Sequence, residues 1–223
     1  MQLVLIRHAH SQANAKGILS GRLPGNNLSE KGVSESKRLA ERLGSFNPAS
    51  IRISPMPRCL QTIQPWLDLL PAAISSKVVI DEDLNEVDYG SWSGKKLSTL
   101  SRTKSWKIVQ NYPSAMLFPG GESIAHMQQR AVKTVSQITQ GRHTSPTVLV
   151  SHGDVIKAIV ANALGTHLDN FQRIVIDPCS VTVIEYNDMK PRVVVLNDTR
   201  SELNSIFTKK TKSGLLLGGG GGR

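Results

Sequence analysis

Two of the six histidines directly follow short apolar runs. His8 comes after Leu3–Ile6, with Arg7 between them, and His152 comes after Thr147–Ser151. Runs of this kind are typical of buried strands, and open α/β sheets bind ligands at the carboxyl ends of their strands. The Arg-His pair taken alone fits an ordinary surface position equally well. The rest of the chain decides between the two interpretations.

An arginine and a glutamate also lie next to predicted strands. Arg58 falls in the first turn of a predicted helix behind Ile51–Ser54, and Glu86 lies in the acidic stretch after Val78–Ile80. If these groups share one sheet edge, they form a pocket with two guanidinium groups, two imidazoles and a carboxyl group.

Such a pocket suits phosphoryl transfer through a covalent phosphohistidine. Guanidinium groups bind the equatorial phosphoryl oxygens, and positioning with charge stabilisation supplies most of the catalysis. A neutral imidazole, held in one tautomer by an acceptor, is a competent nucleophile. A carboxyl group among phosphate oxygens can retain the proton that the leaving group needs.

The elements that must position these residues follow an alternating pattern. Ser29 is the predicted N-cap of one helix, Pro65 is expected to end or kink the next, and a further helix is predicted over about 95–110. The late strands 181–186 and 192–196 are predicted to pair as neighbours across a turn. We therefore expect the α/β class, with a mostly parallel, six-stranded mixed sheet in a three-layer α/β/α arrangement.

The charge of the chain is uneven. Its net charge is +10, and residues 190–223 hold seven basic and two acidic residues, which is half of the excess. We predict one domain over residues 1–200 and a basic, Gly-rich tail over 201–223, which is expected to be largely disordered. Nucleic acid is the first partner that such a charge suggests, but a mildly basic domain also suits a phosphate-handling enzyme.

The cysteines and the apolar segments predict a cytoplasmic, soluble protein. Cys59 and Cys179 form neither a disulfide framework nor a metal-binding spacing, and are expected to be buried thiols in a reducing compartment. Leu3–Ile6 is too short for the apolar region of a signal peptide, and no run approaches the length of a membrane span.

Five blocks, in this order along the chain, resemble the histidine phosphatase superfamily, which has the phosphoglycerate mutase-like fold. The resemblance covers roughly residues 2–197. Within the superfamily, the chain is most similar to short actinobacterial members that have a Gly-Asp-Val-Ile-Lys-Ala-Ile run after the second histidine. The blocks are Arg7–Ser11 with Asn14, Gly21-Arg22 with Leu28–Gly32, Ser54–Arg58 with Gln61-Thr62, Glu86 with Gly90-x-Trp92-x-Gly94, and Pro119–Ser123 leading to Val150–Gly153.

The resemblance implies a role for each of the five reactive residues. His8 would be the nucleophile that becomes phosphorylated. Arg7, Arg58 and His152 would bind the phosphoryl group. Glu86 would protonate the leaving group and then activate water.

The resemblance also implies secondary contacts from Asn14 and the backbone of Gly21, and the need for neither a metal nor another cofactor. The chain departs from the family pattern at Ala9-His10, where Gly-Glu or Gly-Gln is usual. Ala9 restricts a backbone position at which glycine is free. His10 is interpreted as a rim or structural residue rather than a catalytic one.

Other charged residues near these blocks have competing interpretations. Asp154 is expected to support a helix start rather than to act as an acid. Glu122 fits a helix start and a pocket position equally well. Lys95 and Lys96 could meet the distal part of an anionic substrate, although a solvated face explains them as well.

The same residues could serve hydrolysis or transfer between two hydroxyl groups. His152 lies only 66 positions after Glu86, and the segment between them holds Arg102, Lys104 and Lys107 without adjacent arginines. The glycolytic mutases of the superfamily carry a longer insertion with paired arginines. A phosphatase acting on a small phosphomonoester is therefore predicted, with a phosphoglycerate mutase or other phosphomutase as the alternative.

Neither a membrane nor nucleic acid is the expected partner. A nucleic-acid-binding module acting through the tail would leave a full catalytic set unexplained. The expected partner is a small phosphorylated metabolite, and a homo-oligomer is compatible with the sequence.

Overall fold

A six-stranded mixed sheet forms the centre of the protein. The computed structural model of the chain describes residues 1–141 and 145–208. The strand order is β3-β2-β4-β1-β5-β6; β1 to β4 are parallel, and β5 is antiparallel to both of its neighbours. The strands are β1 Gln2–Arg7, β2 Ser50–Ile53, β3 Val78–Ile80, β4 Thr147–Ser151, β5 Val181–Glu185 and β6 Arg192–Asp198.

Helices cover both faces of this sheet, which confirms the predicted three-layer α/β class. α2 and α3 pack on one face, and α7 and α8 pack on the other. Within the described residues the helices are α1 Gln12–Ala15, α2 Glu30–Leu43, α3 Pro57–Leu67, α4 Ala72–Ser75, α5 Leu97–Leu100, α6 Lys104–Asn111, α7 Ile124–Gln140, α8 Gly153–Ala163 and α9 Asn204–Thr208.

The central strand β1 shows why its sequence is a continuous apolar run. Leu3 and Leu5 point into the core with α7 and α8, whereas Val4 and Ile6 point into the core with α2 and α3. Successive side chains of a strand alternate between faces, so a strand covered on both faces is apolar at every position. This burial holds the carboxyl end of β1 in a fixed place.

One detail of the predicted helices is wrong. The helix expected over 95–110 is divided into α5 and α6, because the Thr103 side chain accepts a hydrogen bond from the Trp106 N–H and starts a second helix. Pro65 lies inside α3, which continues to Leu67. The N-cap at Ser29 is confirmed, since its side chain accepts from the Gly32 N–H.

The ordered chain also continues past the predicted boundary at residue 200. Leu203 is fully buried and its N–H donates to the Arg42 carbonyl, while the rings of Phe207 and Phe46 lie 4.5 Å apart. Residues 201–208 therefore pack on the domain. The rest of the predicted tail, 209–223, lies outside the described residues.

Other expectations concern the cysteines and the membrane. Cys59 and Cys179 are buried free thiols, as predicted. None of the helices in the described part of the chain has the length and apolar character needed to cross a membrane.

Candidate active site

The pairing of β1 with β4 brings the two histidines to one sheet edge. Arg7 lies opposite Ser151 in the parallel register, so His8 and His152 leave neighbouring strands at the same level. Their ring centroids are 5.2 Å apart in an edge-to-face arrangement, and the His8 N–H donates to the Ser151 carbonyl at 2.9 Å.

Local hydrogen bonding determines the tautomer of His8. Its Nδ1 lies 2.8 Å from the Ala9 carbonyl oxygen, which can only accept, so Nδ1 carries the proton and Nε2 keeps its lone pair. Burial, followed by the positive charges of Arg58 and Arg7, holds the pKa of His8 well below its usual value. The imidazole is therefore neutral, as a nucleophile must be.

His152 is fully buried and also neutral. Arg58 Nη2 donates to His152 Nδ1 at 3.1 Å, so the imidazole proton lies on Nε2, which donates to Ser54 Oγ at 2.7 Å. Burial lowers the pKa of His152 strongly, and the charge of Arg58 lowers it further. The ring thus links the start of α3 to the end of β4.

Both arginines retain unpaired hydrogen-bond donors. Arg58 is 1% exposed and donates from Nη2 to the Gly21 carbonyl at 3.0 Å, but its Nε and Nη1 find no acceptor among the described residues. Arg7 donates from Nη1 to the Ile176 carbonyl, and its Nε is likewise unpaired. Unpaired buried donors are costly, and an anion bound beside them would offset that cost.

Glu86 is the carboxyl group of this set. It is 9% exposed, its Oε1 accepts from the Val87 N–H at 2.9 Å, and its Oε2 lies 3.6 Å from His152 Nδ1. Burial and then the negative charge of Asp154 raise the pKa of Glu86 to about 7, against the opposing effect of Arg58. The carboxyl group can therefore hold a proton near neutral pH.

A charged cluster that the sequence reasoning missed supports Glu86 from behind. The Glu86 carbonyl accepts from Arg22 Nε at 2.7 Å and from Arg130 Nη2 at 3.0 Å. Glu122 pairs with both arginines, at 2.8 and 2.7 Å, and accepts from the Asp88 N–H.

This cluster settles the open interpretation of Glu122. Burial alone would raise its pKa, but the hydrogen bonds and charge of Arg130 lower it. Glu122 is thus an ionised structural partner behind the pocket. The signal in the sequence was Arg130 itself, an arginine within the apolar stripe of α7 beside Met127 and Ala131.

A cavity of about 320 Å³ opens in front of these groups. Five of the candidate site residues line it, namely Arg7, His8, Asn14, Gly21 and Glu86. Arg58 and His152 are almost fully buried and are not among the residues that line it. A larger open groove of about 650 Å³, between α2 and residues 177–200, contains none of these groups.

The outer part of the cavity has apolar walls and one polar corner. Trp92 lines the wall, whereas Lys95 and Lys96 do not. The apolar wall includes Leu19, Trp92, Trp106, Val109 and Phe118, and the polar corner consists of Asp154, Lys157 and Gln172.

The two unusual residues after His8 point away from the cavity. Ala9 is buried in the core with α2 and α3, and its N–H donates to Thr62 Oγ1 at 2.8 Å. His10 Nδ1 lies 2.8 Å from Ser29 Oγ at the start of α2. The structure thus places His10 in a structural position, in agreement with its interpretation.

The arrangement of His8, Arg7, Arg58, Glu86 and His152 is equipped for phosphoryl chemistry. Among the described residues, no group of three or more His, Cys, Asp or Glu side chains is placed to hold a metal ion. The fold and the site together define an α/β protein with two buried, neutral histidines at one sheet edge.

Residues 3–199 match the family description "Histidine phosphatase superfamily (branch 1)". The chain therefore belongs to the histidine phosphatase superfamily, as the five sequence blocks predicted. This superfamily contains phosphatases and phosphomutases, and the chain is an enzyme of that group.

Individual relatives carry both kinds of name. "Phosphoserine phosphatase 1" of Hydrogenobacter thermophilus is 28% identical over 89% of this chain and 93% of its own length. "Probable phosphoglycerate mutase GpmB" of Cronobacter sakazakii is 26% identical, over 83% and 85%. The crystal structure of the alpha-ribazole phosphatase from Shigella flexneri superposes with a TM-score of 0.76 at 25% identity, over 90% and 98%.

Proposed function

We propose that this enzyme is a phosphatase that hydrolyses a small phosphomonoester through a phosphohistidine on His8. The observation that carries the proposal is the free Nε2 lone pair of His8 beside the unpaired donors of Arg7 and Arg58. A neutral imidazole next to unpaired guanidinium N–H groups suits attack on a phosphoryl group whose oxygens those groups bind.

The first step phosphorylates the enzyme. The phosphoryl oxygens accept from Arg7 and Arg58, and the amino end of α8, which begins at Gly153, adds its dipole. His8 Nε2 attacks phosphorus while the bond to the leaving oxygen breaks. The proton of Glu86 passes to that oxygen, so the alcohol leaves neutral.

The second step releases phosphate. The Glu86 carboxylate takes a proton from water as the water oxygen attacks phosphorus. The P–N bond breaks, and its electron pair returns to His8 Nε2. Inorganic phosphate leaves, and Glu86 is protonated again for the next cycle.

The remaining residues of the predicted set support the phosphoryl group. His152 holds Arg58 through Nδ1, and we assign both to the phosphate-binding set. Gly21 provides the carbonyl that orients Arg58 and lines the cavity. Asn14 Oδ1 accepts hydrogen bonds from the backbone N–H and the hydroxyl of Ser11 at the start of α1. The side-chain N–H₂ group of Asn14 can therefore donate to a substrate oxygen.

A mutase is the second candidate, because some relatives carry that name. A mutase must hold a bisphosphate intermediate, which requires cationic groups at both ends of the cavity. In the described structure Lys157 is the one cationic side chain in the outer lining, and it is paired with Asp154. This charge distribution favours hydrolysis of a monoester.

The test is an assay with p-nitrophenyl phosphate and, separately, with 2- and 3-phosphoglycerate. We expect release of p-nitrophenolate by the wild type, loss of activity in His8→Ala, and retained activity in the matched control His10→Ala. Interconversion of the phosphoglycerates without net phosphate release would establish the mutase instead. Undiminished activity in His8→Ala would contradict both candidates.

The substrate is thus proposed to be a small phosphorylated metabolite. A cytoplasmic location, independence of nucleic acid and the oligomeric state stay predictions from the sequence.

A further inference from the structure

We propose that Asp154 and Lys157 bind a zwitterionic head group, so that the substrate is a phosphomonoester bearing an ammonium and a carboxylate on one carbon. This inference rests on the proposed phosphatase function and specifies its substrate class. It comes from the polar corner of the cavity, defined above, whose side chains neither form a bond nor transfer a proton in the proposed reaction.

The two charged groups are built into the cavity wall. Asp154 lies in the first turn of α8 and Lys157 one turn later, so both side chains lie on the same face of the helix. Lys157 Nζ is 3.3 Å from Asp154 Oδ1, and the two side chains are only 18% and 22% exposed. Both line the cavity that contains His8 and Glu86.

Neighbouring side chains hold both charges in position. The Tyr89 hydroxyl donates to Asp154 Oδ2 at 3.0 Å. Lys157 Nζ donates to Gln172 Oε1 at 3.0 Å and lies 5.6 Å from the centroid of the Phe171 ring. Groups that are already oriented lose little conformational freedom when they bind a ligand.

The charge pattern selects among possible head groups. A lone carboxylate would be attracted by Lys157 and repelled by Asp154, and a lone ammonium would meet the reverse. A zwitterion presents each charge to its opposite. Its two charged groups are substituents of one carbon, with a separation comparable to the 3.3 Å between Lys157 Nζ and Asp154 Oδ1.

The apolar wall strengthens this selection. Trp106, Val109 and Phe118 line the same cavity and reduce the water around the charged pair. Charges interact more strongly where the effective dielectric constant is low. Leaving either charge unmatched in a closed complex therefore carries a larger penalty than it would at an open surface.

Three matched phosphomonoesters test the proposal in the intact protein. O-phospho-L-serine carries both charges, 3-phosphoglycerate has a hydroxyl in place of the ammonium, and phosphoethanolamine lacks the carboxylate. Each kcat/KM is divided by the value of the same variant for p-nitrophenyl phosphate, which removes effects on phosphate binding and on attack by His8. Effects on protonation by Glu86 are common to the three alkyl phosphates and cancel when these are compared with one another. We expect the wild type to prefer phosphoserine about tenfold or more over either analogue, since hydrogen bonds to charged groups are of that order.

Two variants assign the charges separately. Lys157→Gln should lower the normalised values for phosphoserine and 3-phosphoglycerate about tenfold, but not that for phosphoethanolamine. Asp154→Asn should reduce the preference for phosphoserine over 3-phosphoglycerate. Lys96→Gln removes the same charge from a lysine outside the cavity lining, and is expected to leave all ratios unchanged.

The outcomes separate this inference from the proposed function. If p-nitrophenyl phosphate is hydrolysed and His8→Ala abolishes the reaction, but the three substrates react equally well, the head-group proposal is overturned and the phosphatase stands. If no phosphomonoester, p-nitrophenyl phosphate included, is hydrolysed, the proposed function itself fails. A preference that survives both Lys157→Gln and Asp154→Asn would also contradict the assignment.

Discussion

Replacement of Glu86 by Gln tests the proposed chemistry most directly. The amide keeps the size of the side chain but cannot donate a proton, so hydrolysis of an alkyl phosphate should fall by about 10²–10⁴-fold. p-Nitrophenolate leaves without protonation, so phosphorylation of His8 by p-nitrophenyl phosphate should persist. Loss of the base then slows the second step, and rapid-quench kinetics should show a burst of one p-nitrophenolate per enzyme with accumulation of phosphohistidine.

The pH dependence of this variant provides a second check. Because the pKa of Glu86 is about 7, kcat/KM of the wild type for an alkyl phosphate should decline above pH 7, approaching tenfold per pH unit. Asp154→Asn removes one cause of the raised pKa of Glu86 and should move this decline in kcat/KM to lower pH. In Glu86→Gln the decline should be absent. The role of Glu86 would be refuted if the decline persists in Glu86→Gln, or if this variant retains more than about a tenth of the activity on alkyl phosphates.

The ionisation of Glu86 should also make the free energy of unfolding depend on pH. The folded state raises the pKa of Glu86 from 4.5 to about 7, which corresponds to about 3 kcal/mol. This contribution is present below pH 4.5 and is lost as the pH rises through 7. Urea unfolding should show that the stability of the wild type relative to Glu86→Gln falls across this window. Buried neutral histidines act in the opposite direction, but they are common to both proteins and cancel.

Further predictions concern the supporting structure. Glu122→Gln should destabilise the fold by about 3 kcal/mol in urea unfolding at pH 7, because it leaves two arginines poorly paired; the difference should shrink at low pH as the wild-type carboxylate protonates. Gly32→Ala should destabilise α2 although alanine favours helices, since a methyl group there would lie 2.0 Å from a backbone oxygen; exposed Ser34→Ala, the control, should be neutral or stabilising. Cys59 and Cys179, whose thiol pKa values burial raises to about 12, should resist iodoacetamide at pH 8 until the protein is unfolded, and rapid labelling of the folded protein would contradict this.

Most of the sheet and the main helices could be predicted from the sequence. The runs Leu3–Ile6 and Thr147–Ser151 are buried on both faces, which leaves a clear apolar signal. The division between α5 and α6 could not be read in this way, because a single Thr103 side chain outweighs the helical pattern. The packing of residues 201–208 depends on long-range contacts, such as that between Phe207 and Phe46, which no local pattern records.

The catalytic candidates could be identified because they follow directly on buried strands or helix starts. Arg7, His8 and His152 are attached to strand ends, so the parallel register alone brings them together. The sequence by itself determined which reactive side chains share the sheet edge.

Only the tertiary structure decided how deep each group lies and what supports it. Arg58 is almost fully buried, Arg130 reaches the Glu86 backbone from α7, and Asp154 and Lys157 of α8 line the outer cavity. These positions depend on how each helix is rotated against the sheet, which is set by the packing of the whole core. Burial and neighbouring charges then tune the pKa values, so the protonation state of Glu86 is a property of the assembled fold.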